Sequence, residues 1–150
     1  MTRIPQIQPE DMNAEQRRVY DDVMASTGRS GGPSIGYAYA PGLWEASNLV
    51  SDHLSDCSLS PQQVRIAALA AARHWNAAFP FAVQVPQAFD AGVAPAIVDA
   101  INDGIRPEFA SAEDAAVYDV AQELLASGTL GDDGFAVAAE KLGHTRLVDT

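Results

Sequence analysis

Arg65, Arg73 and His74 are the residues whose types and spacing most plainly invite chemistry. A guanidinium is a permanent cation with a planar fork of donors, and it meets a carboxylate in two parallel hydrogen bonds. Arg65 therefore reads either as an anchor for a ligand's carboxylate or as the structural partner of one of the chain's 20 acidic residues. Arg73 carries the same two readings. His74 titrates near neutral pH and is either a candidate acid or base or an ordinary helix-end histidine. It follows Arg65 by nine positions, half a turn out of line on one helix, so the two side chains are expected to point to opposite sides. Gln84 completes the catalytic candidates, because its amide can hold a carbonyl; satisfaction by backbone groups is its other reading. The substrate-binding candidates are Arg73, Trp75, Phe79, Tyr39 and Trp44, whose aromatic members serve equally well as core. Scattered histidines, with no HExxH or paired His/Cys spacing, argue against a metal site. Cys57 is the single cysteine, so no internal disulfide forms, and it reads as a small buried hydrophobe.

Most of these groups sit on one stretch, 60 to 92, which must position them. Ser60, Pro61 and Gln63 are a helix start: a cap, a proline at the first helical position, and a glutamine that returns a bond to the cap. The alanine-rich run from Ile66 to Ala72 predicts a central, closely packed helix. A break is expected over 76–80, then a second helix to Gly92, kinked near Pro86.

The rest of the chain reads as helices too. Residues 1–12 suggest an extended arm; Asn13 and Gln16 cap a helix stopped at Gly28; 28–42 reads as a loop rich in Gly, Ser and Pro. Leu43, Ala46, Leu49, Val50 and Leu54 recur at helical spacing, so much of the core is expected to rest on that helix and its central partner. Further helices are predicted from Pro95 to Asp103, from Ser111 to Gly128 and from Asp132 to Gly143, with the start of another at 145–149. No alternating strand pattern occurs, and the expected fold is all-α, a single domain over 1–150.

The motif ARHWNAAFPFAVQVPQAFDAG, with Ala72, Arg73, Trp75, Asn76, Phe79, Phe81, Pro86, Ala91 and Gly92 keeping the frame, resembles the carboxymuconolactone decarboxylase family, which includes the alkylhydroperoxidase D enzymes. The likeness runs from Arg3-Ile4-Pro5 through Glu15-Gln16 to Glu123-Leu124-Leu125. It implies a helical bundle of that type, a homo-oligomer (trimer or hexamer), and cofactor-independent chemistry on a small carboxylated lactone or aromatic acid, by decarboxylation, isomerisation or ring closure. Three departures stand out: Arg65 replaces the family's glutamate, Pro80 its glutamate or second cysteine, and Gln84 its histidine. None of the three replacements is a plausible general base, so a catalytically inactive ligand-binding or assembly subunit is the alternative. The CxxC of the dithiol peroxidases is absent, which argues against that activity. Family members usually continue past the position of Thr150, so a truncated chain, or a partner supplying that segment, is expected.

A net charge of −11 disfavours nucleic acid and anionic membranes as partners. No leader pattern or long apolar run is evident, and a soluble, cytoplasmic protein is expected.

Overall fold

Local hydrogen bonding sets the helix boundaries. In the computed structural model, which describes residues 3–28, 30, 32 and 34–150, Ser60 and Gln63 bond reciprocally, side chain to backbone, at 3.0 and 3.2 Å. With Pro61 in the first turn, this starts α4 (Pro61–His74) where expected. Asn13 and Gln16 form the same box at 2.9 Å and start α1 (Ala14–Thr27). Among the described residues the rest is also helical: α2 (Ser34–Tyr37), α3 (Pro41–Ser55), α5 (Ala78–Asp90), α6 (Pro95–Asp103), α7 (Ala112–Ser127) and α8 (Asp132–Asp149), with no strand. None of these helices is long and apolar enough to cross a membrane.

The chain divides into two compact units, Met1–Ser55 and Asp56–Thr150. In the second, α4 packs on α5, α6 and α7, and α7 packs on α8. Ile66, Leu69 and Ala70 of α4 are fully buried together with Ala88, Val98 and Ile101. Each such branched side chain contributes about 1.5–3 kcal/mol by leaving water. A second cluster, Leu59, Val117, Val120, Ala138 and Leu142, joins α7 to α8, and Cys57 packs against it as a partly buried apolar group. The one buried polar side chain among the described residues, Gln63, donates to Asp114 at 2.9 Å, and Gln62 donates to the other oxygen at 3.1 Å. One carboxylate thereby fastens the start of α4 to α7.

The break between α4 and α5 is shorter than the expected 76–80. Asn76 takes a left-handed conformation (φ 49°), the Asn76 N–H bonds the Arg73 carbonyl at 3.0 Å, and the Ala77 N–H reaches back to the Ala72 carbonyl at 2.8 Å. These two bonds close α4 in a Schellman turn, a role asparagine tolerates better than most residues. Pro80 then falls in the first turn of α5, where a missing N–H costs nothing, so the helix begins at Ala78 and runs through Pro86. Gly143, with φ 71° and ψ 168°, interrupts α8 at the predicted stop, and helix resumes beyond it.

In the first unit Val19, Val23, Ala38 and Trp44 form the core, with Ile7 and Met12 packed against it. Before α1 the described residues 3–13 hold a 3-10 turn at Pro9–Asp11, and Tyr39 donates to the Pro5 carbonyl at 2.8 Å. The predicted loop contains α2; its residues 29, 31 and 33 lie outside the described set. The larger correction concerns α3. Only Trp44 is buried, whereas Leu43, Leu49, Val50 and Leu54 are 58%, 67%, 59% and 41% exposed. The reason is local. Trp44 meets Tyr20 edge-on at 6.4 Å and Glu45 takes the Arg18 guanidinium at 2.8 Å, so these two contacts hold α3 on α1 and turn the leucine stripe outward.

Candidate functional site

Arg65 lies in the second turn of α4 and Gln84 in the middle of α5. The packing of these two helices brings the side chains together: the Arg65 Nη1 donates to the Gln84 Oε1 at 2.8 Å, and both residues are half-buried. Nineteen positions separate them, and no local signal in the sequence announces the bond.

The partner's neutrality matters. Arg17, Arg18, Arg106, Arg146 and Lys141 all sit on carboxylates within 4 Å. Among the described residues Arg65 has no carboxylate partner, in a chain holding 20 acidic residues. The structural ion-pair reading of Arg65 is thus replaced by a bond to an amide oxygen, which orients the guanidinium without cancelling its charge. No buried side-chain nitrogen or oxygen among the described residues lacks a partner. The Arg65 Nε and Nη2 and the Gln84 Nε2, which this bond leaves over, are therefore not fully buried. What results is a cluster of donors, one carrying a full positive charge, held between two packed helices. Such a cluster suits an anion with a neighbouring acceptor: the fork takes a carboxylate, and the amide N–H takes a carbonyl.

The other candidates stand apart. Arg73 follows Arg65 by about 12 Å of helix rise, and its Nε donates to the Asn102 carbonyl at 2.6 Å. There it clasps α4 to the C-terminal end of α6, where a cation also meets the negative end of the helix dipole. His74 is exposed and meets the Trp75 ring edge-on at 4.9 Å. Its place on α4, half a turn round from Arg65, is the one expected. Trp75 and Phe79 are 73% and 65% exposed. In the first unit Trp44 is core, and Tyr39, half-exposed, holds the arm. That unit also contains a cleft lined by Ile7, Tyr20 and Trp44, of about 20 Å³. This is room for about one water, against the roughly 300 Å³ or more of a small-molecule pocket.

Hydrogen bonding from Arg18 and from Arg146 holds Glu45 and Glu113 below the usual carboxylate range, and burial is the main cause that raises Tyr118. Set against known proteins, the sequence matches no family model and no curated relative, so the site is described by its own chemistry: a guanidinium bonded to a neutral amide.

Proposed function

We propose that this chain is a helical protein of the carboxymuconolactone decarboxylase type that binds a small carboxylated molecule, a lactone or aromatic acid, at Arg65 and Gln84. The observation that carries the reading is the neutral partner of Arg65. A half-buried guanidinium left without a carboxylate, in a chain of net charge −11, keeps its charge for a ligand. Arg65 takes the carboxylate, and the Gln84 N–H reaches a ring or lactone carbonyl. The same donors would stabilise an enolate in a cofactor-free decarboxylation, isomerisation or ring closure.

Binding without turnover is the better-supported half of this proposal. Arg65, Pro80 and Gln84 stand where the family carries its proton-handling groups, and each lost acid or base forfeits roughly 10²- to 10⁴-fold in rate. His74, exposed beside Trp75, is the remaining acid or base candidate for turnover.

Calorimetry with a panel of small aromatic and lactone acids tests the site. Arg65→Ala is expected to weaken binding by about 1.5–3 kcal/mol, the worth of a hydrogen bond to a charged group. Circular dichroism should be unchanged, and Arg65→Lys should restore affinity only in part because it lacks the fork. A lower melting temperature with unaltered affinity would sink the anchor role. Product formation by the wild type, lost in Arg65→Ala and Gln84→Ala, would establish an enzyme.

A further inference from the structure

Beyond Gly143 the remainder of α8, residues 144–149, is held by its side chains and not by helix continuity. Gly143 takes φ 71° and ψ 168°, a conformation open essentially to glycine alone, so it joins the two parts of α8 as a hinge. The contacts of the far part converge on one place. Asp149 accepts from the Ser58 N–H at 2.9 Å and from the Ser58 hydroxyl at 2.6 Å. An aspartate in the last turn faces the negative end of the helix dipole, an unfavourable position that these donors offset. Arg146 forks onto Glu113, with both bonds at 2.9 Å, and the adjoining Asp114 accepts from Gln62 and Gln63 at 3.1 and 2.9 Å. Leu147 packs on the apolar cluster of Leu59, Val117 and Leu142, and Val64 rests on the same cluster. Ser58, Gln62, Gln63 and Val64 lead directly into Arg65, and all of these groups lie within Asp56–Thr150.

We propose that residues 144–149 are a hinged clamp that sets the first turn of α4, and through it the placing of the Arg65 guanidinium, with Asp149 and Arg146 as positioning residues. The proposal rests on the reading of Arg65 and Gln84 as an anion site, and it gives that site its regulation: affinity follows the closure of the clamp. When the clamp is closed, Ser58 is fixed just ahead of the Ser60 cap, and Leu147 and Val64 share one apolar floor. When it is open, Ser58 bonds water and Leu147 leaves the cluster. The start of α4 then loses its outer support, and a helix frays first at its ends, where backbone groups lack intrahelical partners. Arg65 lies in the second turn, so fraying there disturbs its directional bond to Gln84 across on α5. Opening is within reach of ordinary fluctuation. The Arg146 and Glu113 side chains are 26% and 49% exposed, and ion contacts so placed are individually weak, whereas the core around Ile66 and Leu69 is fully buried and stays closed.

Nitrogen–proton NMR of the full chain, with amide exchange and a benzoate titration, tests the clamp in two variants. Asp149→Ala removes the hold on Ser58. Gly143→Ala acts at the hinge: nothing crowds an added methyl there, but alanine resists the observed φ and ψ, so α8 straightens and residues 144–149 swing away. In the ligand-free protein each variant should lower the protection of the Gln63, Val64 and Arg65 amides by roughly fivefold, the upper end of what an exposed ion contact is worth. The Arg65 Nε–H should shift, the Ile101 and Val117 amides of the core should keep their protection, and benzoate affinity should fall by a similar factor. Asp149→Asn, which keeps an accepting oxygen, should stand between wild type and Asp149→Ala. Glu140→Gln, on the near side of the hinge, should behave as wild type. The proposal is overturned if both variants leave the α4 amides and the Arg65 Nε–H unmoved, or if protection falls equally at Ile101 and Val117. Unchanged benzoate affinity in a variant whose α4 has loosened overturns it too. A wild type that binds no benzoate counts against the anion site instead, and the ligand-free exchange still decides whether the clamp holds α4.

Discussion

At the scale of the residue, the choice of partner decides what a charged group is available to do. Gln84 orients Arg65 and leaves its charge unneutralised; a carboxylate at the same place would neutralise it. Gln84→Glu is therefore expected to lower affinity for small acids at pH 7 by roughly tenfold, about 1.4 kcal/mol, while leaving the melting temperature unchanged or higher. Titration calorimetry beside a thermal melt checks this, and undiminished affinity would contradict it. Glu113 shows the opposite arrangement, with the Arg146 fork donating to both of its oxygens at 2.9 Å and holding its pKa below the ordinary value. A depressed carboxylate pKa contributes stability that is present above the unfolded value and lost as pH falls through the folded one. Protection against hydrogen exchange over residues 144–149, taken relative to the intrinsic amide rate at each pH, should accordingly fall as pH drops below about 4.3, and Glu113→Gln should flatten that dependence. Exchange with the same pH profile in both proteins would refute the link.

At the scale of the element, capping chemistry was legible and covering was not. The boxes at Asn13 and Ser60, the serine cap of α7 and the stop at Gly28 are local hydrogen-bond problems with local solutions, and they stand where the residues indicate. The leucine stripe of α3 is different. Periodicity tells which residues share a face; it does not tell what lies against that face, and here Trp44 and Glu45 hold the helix by its other side. Pro80 misled for a related reason, because a proline breaks a helix interior but is tolerated in a first turn, and Asn76 ends α4 early enough to put it there. The pairing of Arg65 with Gln84 spans two helices and follows only from their packing. Asn76→Val should cost about 1–2 kcal/mol, since a β-branched side chain resists the left-handed conformation, whereas Asn76→Gly should be tolerated. Gly134→Ala should destabilise the start of α8, because the Glu123 carboxylate, which accepts the Gly131 N–H at 2.7 Å, already occupies the space an added methyl needs. Denaturant midpoints measure both substitutions, and a neutral Gly134→Ala would mean that Glu123 swings aside freely.

At the scale of the whole molecule, a strongly acidic chain is assigned an anion as its ligand. The conflict is resolved locally: the net charge of −11 is a property of the surface at large, while Arg65 presents an uncompensated cation to whatever reaches it. Circular dichroism should report a predominantly helical protein, and a strong strand signal would remove the α4 and α5 frame on which the site depends. The most direct measurement is a two-dimensional nitrogen–proton NMR titration with a small aromatic carboxylate, which reads the whole chain at once. The account predicts that the Arg65 Nε–H and the Gln84 side-chain amide shift together and saturate, that the uncharged amide analogue of the same acid moves neither, and that Arg65→Ala abolishes the shift at Gln84. Saturable shifts centred on other residues, with the Arg65 and Gln84 side chains unmoved, would contradict it.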